Sequence, residues 1–463
     1  MKKTLHKIIH DDNFLSLTGN VTIAFFGFAG FALLTRTFQV DLFGQWVLYI
    51  TAGTFVDMFR LGITNTAIIR YLSGSTNENR FRFIGSNGLI GLVATILIAA
   101  ILISCNLLFP VAIKNSGYEL FFTWFPLLAF ITLPLNTALV IMQADQKFGN
   151  VLIIRLLYNA GFFMVLLINY LFFKMSLIQL IWAQLLLNLF TSLVCIFKGW
   201  DGLRYIGRAT RETTRTLLDF GKYTTFSIIG TNLLRSADIL IISLSPLGTA
   251  AVALYSIPMK LTELQQIPLR SFSATAFPKM SKASMNGETD EVKSIFYTYS
   301  GVMTYLLSFL SLITFVFADF FVLILGGSQY MGTDPITGFN TANIVRVFSI
   351  YGILLSIDRM TGVALDSINK PDKNLIKVSV MALANIIGDL IAVFIFKSLL
   401  AVAVASIVFT LIGIWIGLKY LDKELKINYL KIFSSGFDFY VDIYNKLVRR
   451  KHHNDRPNSD SLI

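Results

Sequence analysis

Cysteine is scarce. The 463-residue chain has two, Cys105 and Cys195, each inside an apolar stretch, which excludes a disulfide framework and a CxxC metal site. Histidine is nearly as rare, and His6, His10, His452 and His453 all lie in the terminal tails, so no buried histidine metal site is available. Charge is thin: Asp, Glu, Lys and Arg make up 14% of the chain, against about 25% in an ordinary soluble domain. Enzyme signatures are missing as well. There is no GxxxxGK[ST] phosphate loop, no HExxH, no GxSxG, and no pair of acids in an extramembrane loop to hold a metal for glycosyl transfer. The expected protein is therefore not an enzyme, uses no cofactor and drives nothing with ATP.

What the chain has instead is apolar length. Hydrophobic residues make up 55% of it and the mean hydropathy is +0.66, which places it among integral membrane proteins. A spanning helix needs about 20 mostly apolar residues. Twelve such cores occur, near 14–35, 43–67, 84–110, 118–142, 151–173, 176–197, 223–244, 250–277, 297–325, 342–365, 374–396 and 398–419. The expected fold class is all-α: about twelve transmembrane helices in two six-helix halves. The lobes are 1–197 and 223–420, joined by a basic linker at 198–222 and followed by a tail at 421–463. Very short connections near Lys174 and Lys397 predict tight hairpins. MKKTLHKIIHDDNF has no apolar core followed by a cleavage site, so no cleavage is expected.

The net charge of +12 comes from short loops and tails, with no soluble domain to hold a nucleic-acid module. Lys and Arg crowd the N-terminal tail, alternate loops, the linker and the C-terminal tail, whereas the opposite side has only Arg36, Lys114, Lys174 and Lys397. By the positive-inside rule both termini are cytoplasmic. In the tail, Leu430, Phe433, Phe437, Tyr440, Tyr444 and Val448 recur at helical spacing beside Lys431, Lys446, Arg449 and Arg450. That pattern fits either an interfacial amphipathic helix or one docked under the bundle, with an expected break at Gly436.

Some charges sit where lipid should be. A charged group at a bilayer centre costs about 2.5–3.5 kcal/mol even on the lenient insertion scale, so such residues face a cavity, a partner or a pathway. Asp57 and Arg60, Arg235 and Asp238, and Lys260 and Glu263 are spaced i,i+3, which puts each pair on one helix face; Arg270 has no such neighbour. Within the spans, seven cations (Arg60, Arg155, Arg235, Lys260, Arg270, Arg346, Arg359) stand against five acids (Asp57, Asp238, Glu263, Asp358, Asp389). A cationic surplus suits an anionic ligand, since the Arg fork matches phosphate and carboxylate. Acids at mid-depth suit a coupling proton or Na⁺.

A faint internal repeat accompanies these charges. Aligning FGQWVLYI (43–50) with TAAVALYSI (249–257) at their Leu-Tyr pairs brings Asp57 onto Glu263, an acid at one depth in both halves. Repeats of this kind build midplane sites in many transporters.

The stretch LLTRTFQVDLFGQWVLYITAGTFVDMFRLGITNTAIIRYLS resembles the opening of Wzx-type polysaccharide flippases. NTALVIMQADQKFGNVLIIRLLYN, AVALYSIPMKLTELQQIPLRSFSATAFPKMSK and VFSIYGILLSIDRMTGVALDSINKP are similar to their fourth-to-fifth turn, eighth span and tenth span. The resemblance implies a MATE-like fold of the MOP superfamily, with the two six-helix lobes around a central cavity, in the bacterial inner membrane. It implies alternating-access movement of an undecaprenyl-pyrophosphate-linked oligosaccharide to the periplasmic leaflet for O-antigen, lipopolysaccharide, capsule or exopolysaccharide synthesis, with membrane lipids, H⁺ or Na⁺, and glycan polymerase and chain-length proteins as partners. On such a fold the second, seventh and eighth spans border the cavity. Arg60, Arg235, Lys260 and Arg270 are then the expected substrate-binding cations, and Asp57, Asp238 and Glu263 the expected ion-coupling acids.

Two rivals differ in chemistry. A MATE-like cation-coupled exporter of drugs or metabolites would favour a surplus of acids over cations. A membrane-bound polymerase or ligase would need a catalytic outer loop, and the longest outer connection, 326–341, has no Lys, Arg or His.

Overall fold

The computed structural model describes the backbone of residues 12–73, 77–333 and 338–454, and the side chains of 23–62, 64–65, 67–72, 79–221, 236–333 and 338–445. Its regular elements are helical, and each of the twelve expected spans falls on a helix. In chain order these are α1 (Asp12–Thr37), α2 (Val40–Ser73), α3 (Asn77–Leu108), α4 (Glu119–Ala144), α5 (Phe148–Phe173), α6 (Leu177–Phe197), α7 (Arg211–Ser243), α8 (Gly248–Met285), α9 (Thr289–Val316), α10 (Thr341–Ser367), α11 (Pro371–Ile395) and α12 (Leu399–Leu425). A helix over Ala318–Gly326 continues the ninth span, and α13 (Leu430–Asn454) forms the tail.

Among the described residues, nine helices, α2 to α6 and α9 to α12, are long and apolar enough to cross a membrane. The charged α7 and α8 are not among these nine. Large apolar side chains such as Leu97, Ile101, Phe172, Phe309, Leu312, Ile395 and Trp415 are exposed, as expected of surfaces that face lipid rather than water. The protein is an all-α multi-pass membrane protein.

By packing, the chain gathers into two compact units, residues 1–256 with 322–338, and residues 257–321 with 339–463. Within the first, α7 runs along α2 and α4 packs on α2, α3 and α6. Within the second, α10 packs against both α9 and α12, and α11 lies on α12.

The hairpins near Lys174 and Lys397 share one construction. Each first helix ends in a π-helical turn, Asn169–Phe173 and Ile391–Ile395, and the following Lys adopts a left-handed backbone at φ 47° and 48°. The next helix then starts from a serine cap: Ser176 with Gln179, and Ser398 accepting from the Ala401 N–H. A serine oxygen satisfies N–H groups that the first turn of a helix leaves without partners. The two halves thus repeat a local device at corresponding places.

Of the basic stretch 198–222, only the first part is a connection. It turns at Gly199 and Gly202 (φ 65° and 68°), makes a short 3₁₀ helix over Leu203–Arg208 and passes into α7 at Arg211, where Thr210 caps the helix. Arg204 and Arg208 lie over the Tyr205 ring, and Arg208 also over Phe81 of α3. Part of the linker's positive charge is therefore used in stacking on the helix bundle.

The tail helix does not break at Gly436. Gly436 meets Gly301 of α9 so closely that a Cβ on either would overlap the other's backbone. Ile432 is buried, Tyr440 Oη donates to the Val302 carbonyl at 3.1 Å, and the Tyr297 hydroxyl accepts from the Asn428 N–H at 2.7 Å. The tail is docked on α9 through glycine contact, while Phe433, Phe437 and Tyr444 remain exposed.

Candidate substrate site

Arg60 lies mid-way along α2 and has no solvent exposure. Its guanidinium is held on several sides. Nε donates to Asp57 Oδ1 at 2.8 Å, one turn back, and Nη2 donates to Thr132 Oγ1 at 3.1 Å. Nη1 donates to Thr95 Oγ1 at 3.3 Å and to the Ala129 carbonyl. A buried cation is tolerated when its donors are matched in this way. Asp57 is partly open, with 35% of its side chain exposed, so the pair presents a carboxylate outward and keeps its cation inside.

In the same unit Asp238 of α7 is 5% exposed and accepts from the hydroxyl of Tyr255 on α8 at 2.6 Å; Tyr255 is itself fully buried. Arg235 belongs to the α7 backbone, but its side chain lies outside the described residues. The start of α8 lies against the start of α2: a Cβ at Gly44 would overlap the Thr249 carbonyl, and the Thr249 hydroxyl donates to Asp41. The two stretches that align in sequence, 43–50 and 249–257, are therefore in contact at their beginnings.

The remaining expected residues are in the second unit, on α8, and are more open. Lys260 Nζ reaches Glu263 Oε2 at 2.8 Å with 24% and 58% of the two side chains exposed. Arg270, two turns beyond Glu263, is exposed and donates from Nη2 to Gln266 Oε1 at 3.3 Å. Pro258, Pro268 and Pro278 interrupt the hydrogen bonding of this helix, since proline has no N–H to donate to the preceding turn.

One cluster escaped the sequence reading. Lys377 of α11 is 2% exposed; its Nζ lies 2.7 Å from Asp358 Oδ1 on α10, donates to the Asp358 carbonyl at 2.5 Å and to Thr361 Oγ1 at 3.0 Å. Further along α11, Asn385 and Asp389 are both fully buried, and Asn385 Nδ2 donates to Asp389 Oδ2 at 3.2 Å. Lys377 reads as a span-end residue by position, and only the packing of α10 on α11 carries it inside. Arg346 pairs instead with Asp319 at 2.6 Å. Among the described residues no group of three or more His, Cys, Asp or Glu side chains is placed to hold a metal ion.

Residues 10–284 match the family described as polysaccharide biosynthesis protein. The chain belongs to this family. No curated protein matches it. Among solved structures, this polysaccharide biosynthesis protein is similar to an inward-facing multidrug resistance MATE family transporter of the MOP superfamily, with TM-score 0.70 and 15% identity over 88% of this chain and 95% of that one. It is also similar to the lipid II flippase MurJ in an inward closed conformation, with TM-score 0.67 and 13% identity over 96% of this chain and 94% of that one. A third likeness is to a MOP superfamily transporter from Pyrococcus furiosus, at TM-score 0.58 and 15% identity over 91% and 96%. At these identities the likeness concerns the fold, which is that of the MOP superfamily.

Proposed function

We propose that this protein moves a lipid-linked oligosaccharide, its sugar joined through pyrophosphate to an undecaprenyl chain, from the cytoplasmic to the outer leaflet of a bacterial inner membrane by alternating access. The observation that carries the reading is the match to the polysaccharide biosynthesis family on a chain with the fold of membrane transporters. Lys260, partly exposed, and Arg270, exposed, both on α8, and Arg235 on α7 are the groups assigned to the pyrophosphate or to acidic sugars. Arg60 acts from within the first unit by holding Asp57. Asp57, Asp238 and Glu263 bind or pass the coupling H⁺ or Na⁺. A charge crossing the membrane field is worth about 2.3 kcal/mol per 100 mV, enough to bias a transport cycle.

The likeness to a multidrug resistance transporter favours a second reading, export of a cationic drug or metabolite, in which the same acids meet the substrate. Reconstitution separates the two. In vesicles loaded on one face with the host's own lipid-linked oligosaccharide, the flippase reading predicts protein-dependent appearance of glycan on the other face. Export of a cationic dye with no movement of glycan contradicts it.

A further inference from the structure

The ends of the helices where Lys and Arg are scarce hold a cavity of about 750 Å³ in the first unit. It lies between the α1–α2 junction, the start of α4 and the α5–α6 hairpin, away from the groups described above. The volume is within the usual range for a small-molecule site, about 300–1,000 Å³. Its lining brings together Asn169, Lys174, Glu119, Gln45, Trp124 and Tyr170.

One of these residues points to a ligand. Asn169 is 1% exposed and its Oδ1 accepts the Met175 N–H at 2.6 Å, which fixes the hairpin. Its Nδ2 is buried and has no hydrogen-bond partner among the described residues. Buried amide donors are nearly always matched, so a donor left open beside a cavity calls for an acceptor within it.

The rest of the lining defines what that acceptor belongs to. Lys174 and Glu119 are exposed and make no ion pair among the described residues. With Arg36, whose guanidinium donates to the Ala32, Leu323 and Ile324 carbonyls, the lining has two cations and one acid and offers both donors and acceptors. A bare phosphate would meet the carboxylate of Glu119, and an organic cation would meet Lys174. Trp124 is fixed edge-to-face against Trp182 at 4.9 Å, and Tyr170 is 46% exposed. Aromatic surface, a carboxamide, an ammonium and a carboxylate around one cavity match a sugar ring: its C–H face lies on an aromatic ring, and its hydroxyl groups both accept and donate.

We propose that this cavity binds a saccharide unit of the carried glycan at the helix ends opposite the basic loops, a site separate from the cations of α7 and α8. The assignment rests on the glycan-transport reading for its ligand. Binding there holds the sugar at the exit side while the pyrophosphate leaves the membrane interior.

The test uses the full chain in nanodiscs and two probes: the host's surface-glycan repeat unit released by mild acid, and inorganic phosphate. Saturation transfer from protein to the repeat unit is expected, weakened about tenfold by Tyr170→Leu and by Trp124→Leu, with inorganic phosphate giving no competition. No transfer to the repeat unit, or transfer unchanged in both variants, overturns the proposal, as does displacement by phosphate. The same preparations report movement of the lipid-linked oligosaccharide between leaflets. Movement without repeat-unit binding removes the cavity and leaves the transport reading. Repeat-unit binding lost in both variants without movement keeps the cavity and removes the transport reading.

Discussion

Arg60 donates its Nε–H to Asp57 one turn back on the same helix, and the rest of its guanidinium is shared between two neighbouring helices through Thr95, Thr132 and the Ala129 carbonyl. A cation so enclosed joins α2, α3 and α4, and its removal leaves several acceptors without a donor. Arg60→Ala is expected to lower stability by about 3–5 kcal/mol, the range for removing one partner of a buried ion pair. Thermal unfolding of the detergent-solubilised protein measures it. An unchanged melting temperature would mean that the cluster relaxes or takes in water.

Arg270 and Lys260 lie at the other extreme. Both are partly or largely exposed, Lys260 pairing with Glu263 and Arg270 bonding to Gln266 on α8, and surface changes of this kind usually stay within about 0.5 kcal/mol. Arg270→Ala and Lys260→Ala are expected to leave the melting temperature unchanged while abolishing glycan movement. Full transport in both variants would remove these cations from the substrate site.

The Tyr255 hydroxyl donates a hydrogen bond to Asp238 in a buried contact. Tyr255→Phe keeps the ring and deletes the donor, so a loss of about 1–3 kcal/mol is expected. Denaturant unfolding of the variant beside the parent measures this. Equal stability would mean that Asp238 finds a replacement donor.

Gly301 and Gly436 meet backbone to backbone. Gly436→Val places a branched side chain where no space exists, and overpacking costs about 1–3 kcal/mol. Because α13 follows the bundle in sequence, the expected outcome is release of the tail helix with the spans intact. Limited proteolysis reads this as new cleavage after α12. Unchanged resistance would show that the contacts of Asn428, Ile432 and Tyr440 hold the tail without the glycine seam.

Lys377 and Asp358 allow a sharper comparison, since both are largely buried and lie on different helices. Lys377→Met is expected to cost about 3–5 kcal/mol by leaving a buried carboxylate unmatched, while the double variant Lys377→Met with Asp358→Leu recovers most of it. A double variant no more stable than the single one would show that Thr361 and the surrounding packing carry the contact.

Hydropathy made the spans legible, because about twenty apolar residues in a row have few alternatives. Position along one helix was also legible: Arg60 with Asp57 and Lys260 with Glu263 pair as their i,i+3 spacing implies. Depth was harder to read. Arg60 and Lys260 each have an acid three residues away in sequence, yet one is sealed and the other partly open, because burial depends on which helices pack against each face. For the same reason the partnership of Tyr255 with Asp238, 17 residues apart, and that of Lys377 with Asp358 were not visible. Gly436 misled in the opposite direction. Alone it looks like a break, but a glycine facing Gly301 is what lets two helices touch.

The central claim, transport of a lipid-linked glycan, is tested most directly in the host. The gene is deleted, then restored, and surface glycan is measured together with the pool of lipid-linked oligosaccharide and the leaflet it faces. The account predicts loss of surface polymer and accumulation of single repeat units facing the cytoplasm, both reversed on restoration. Intact surface glycan with an unchanged lipid-linked pool in a strain with no second flippase contradicts it.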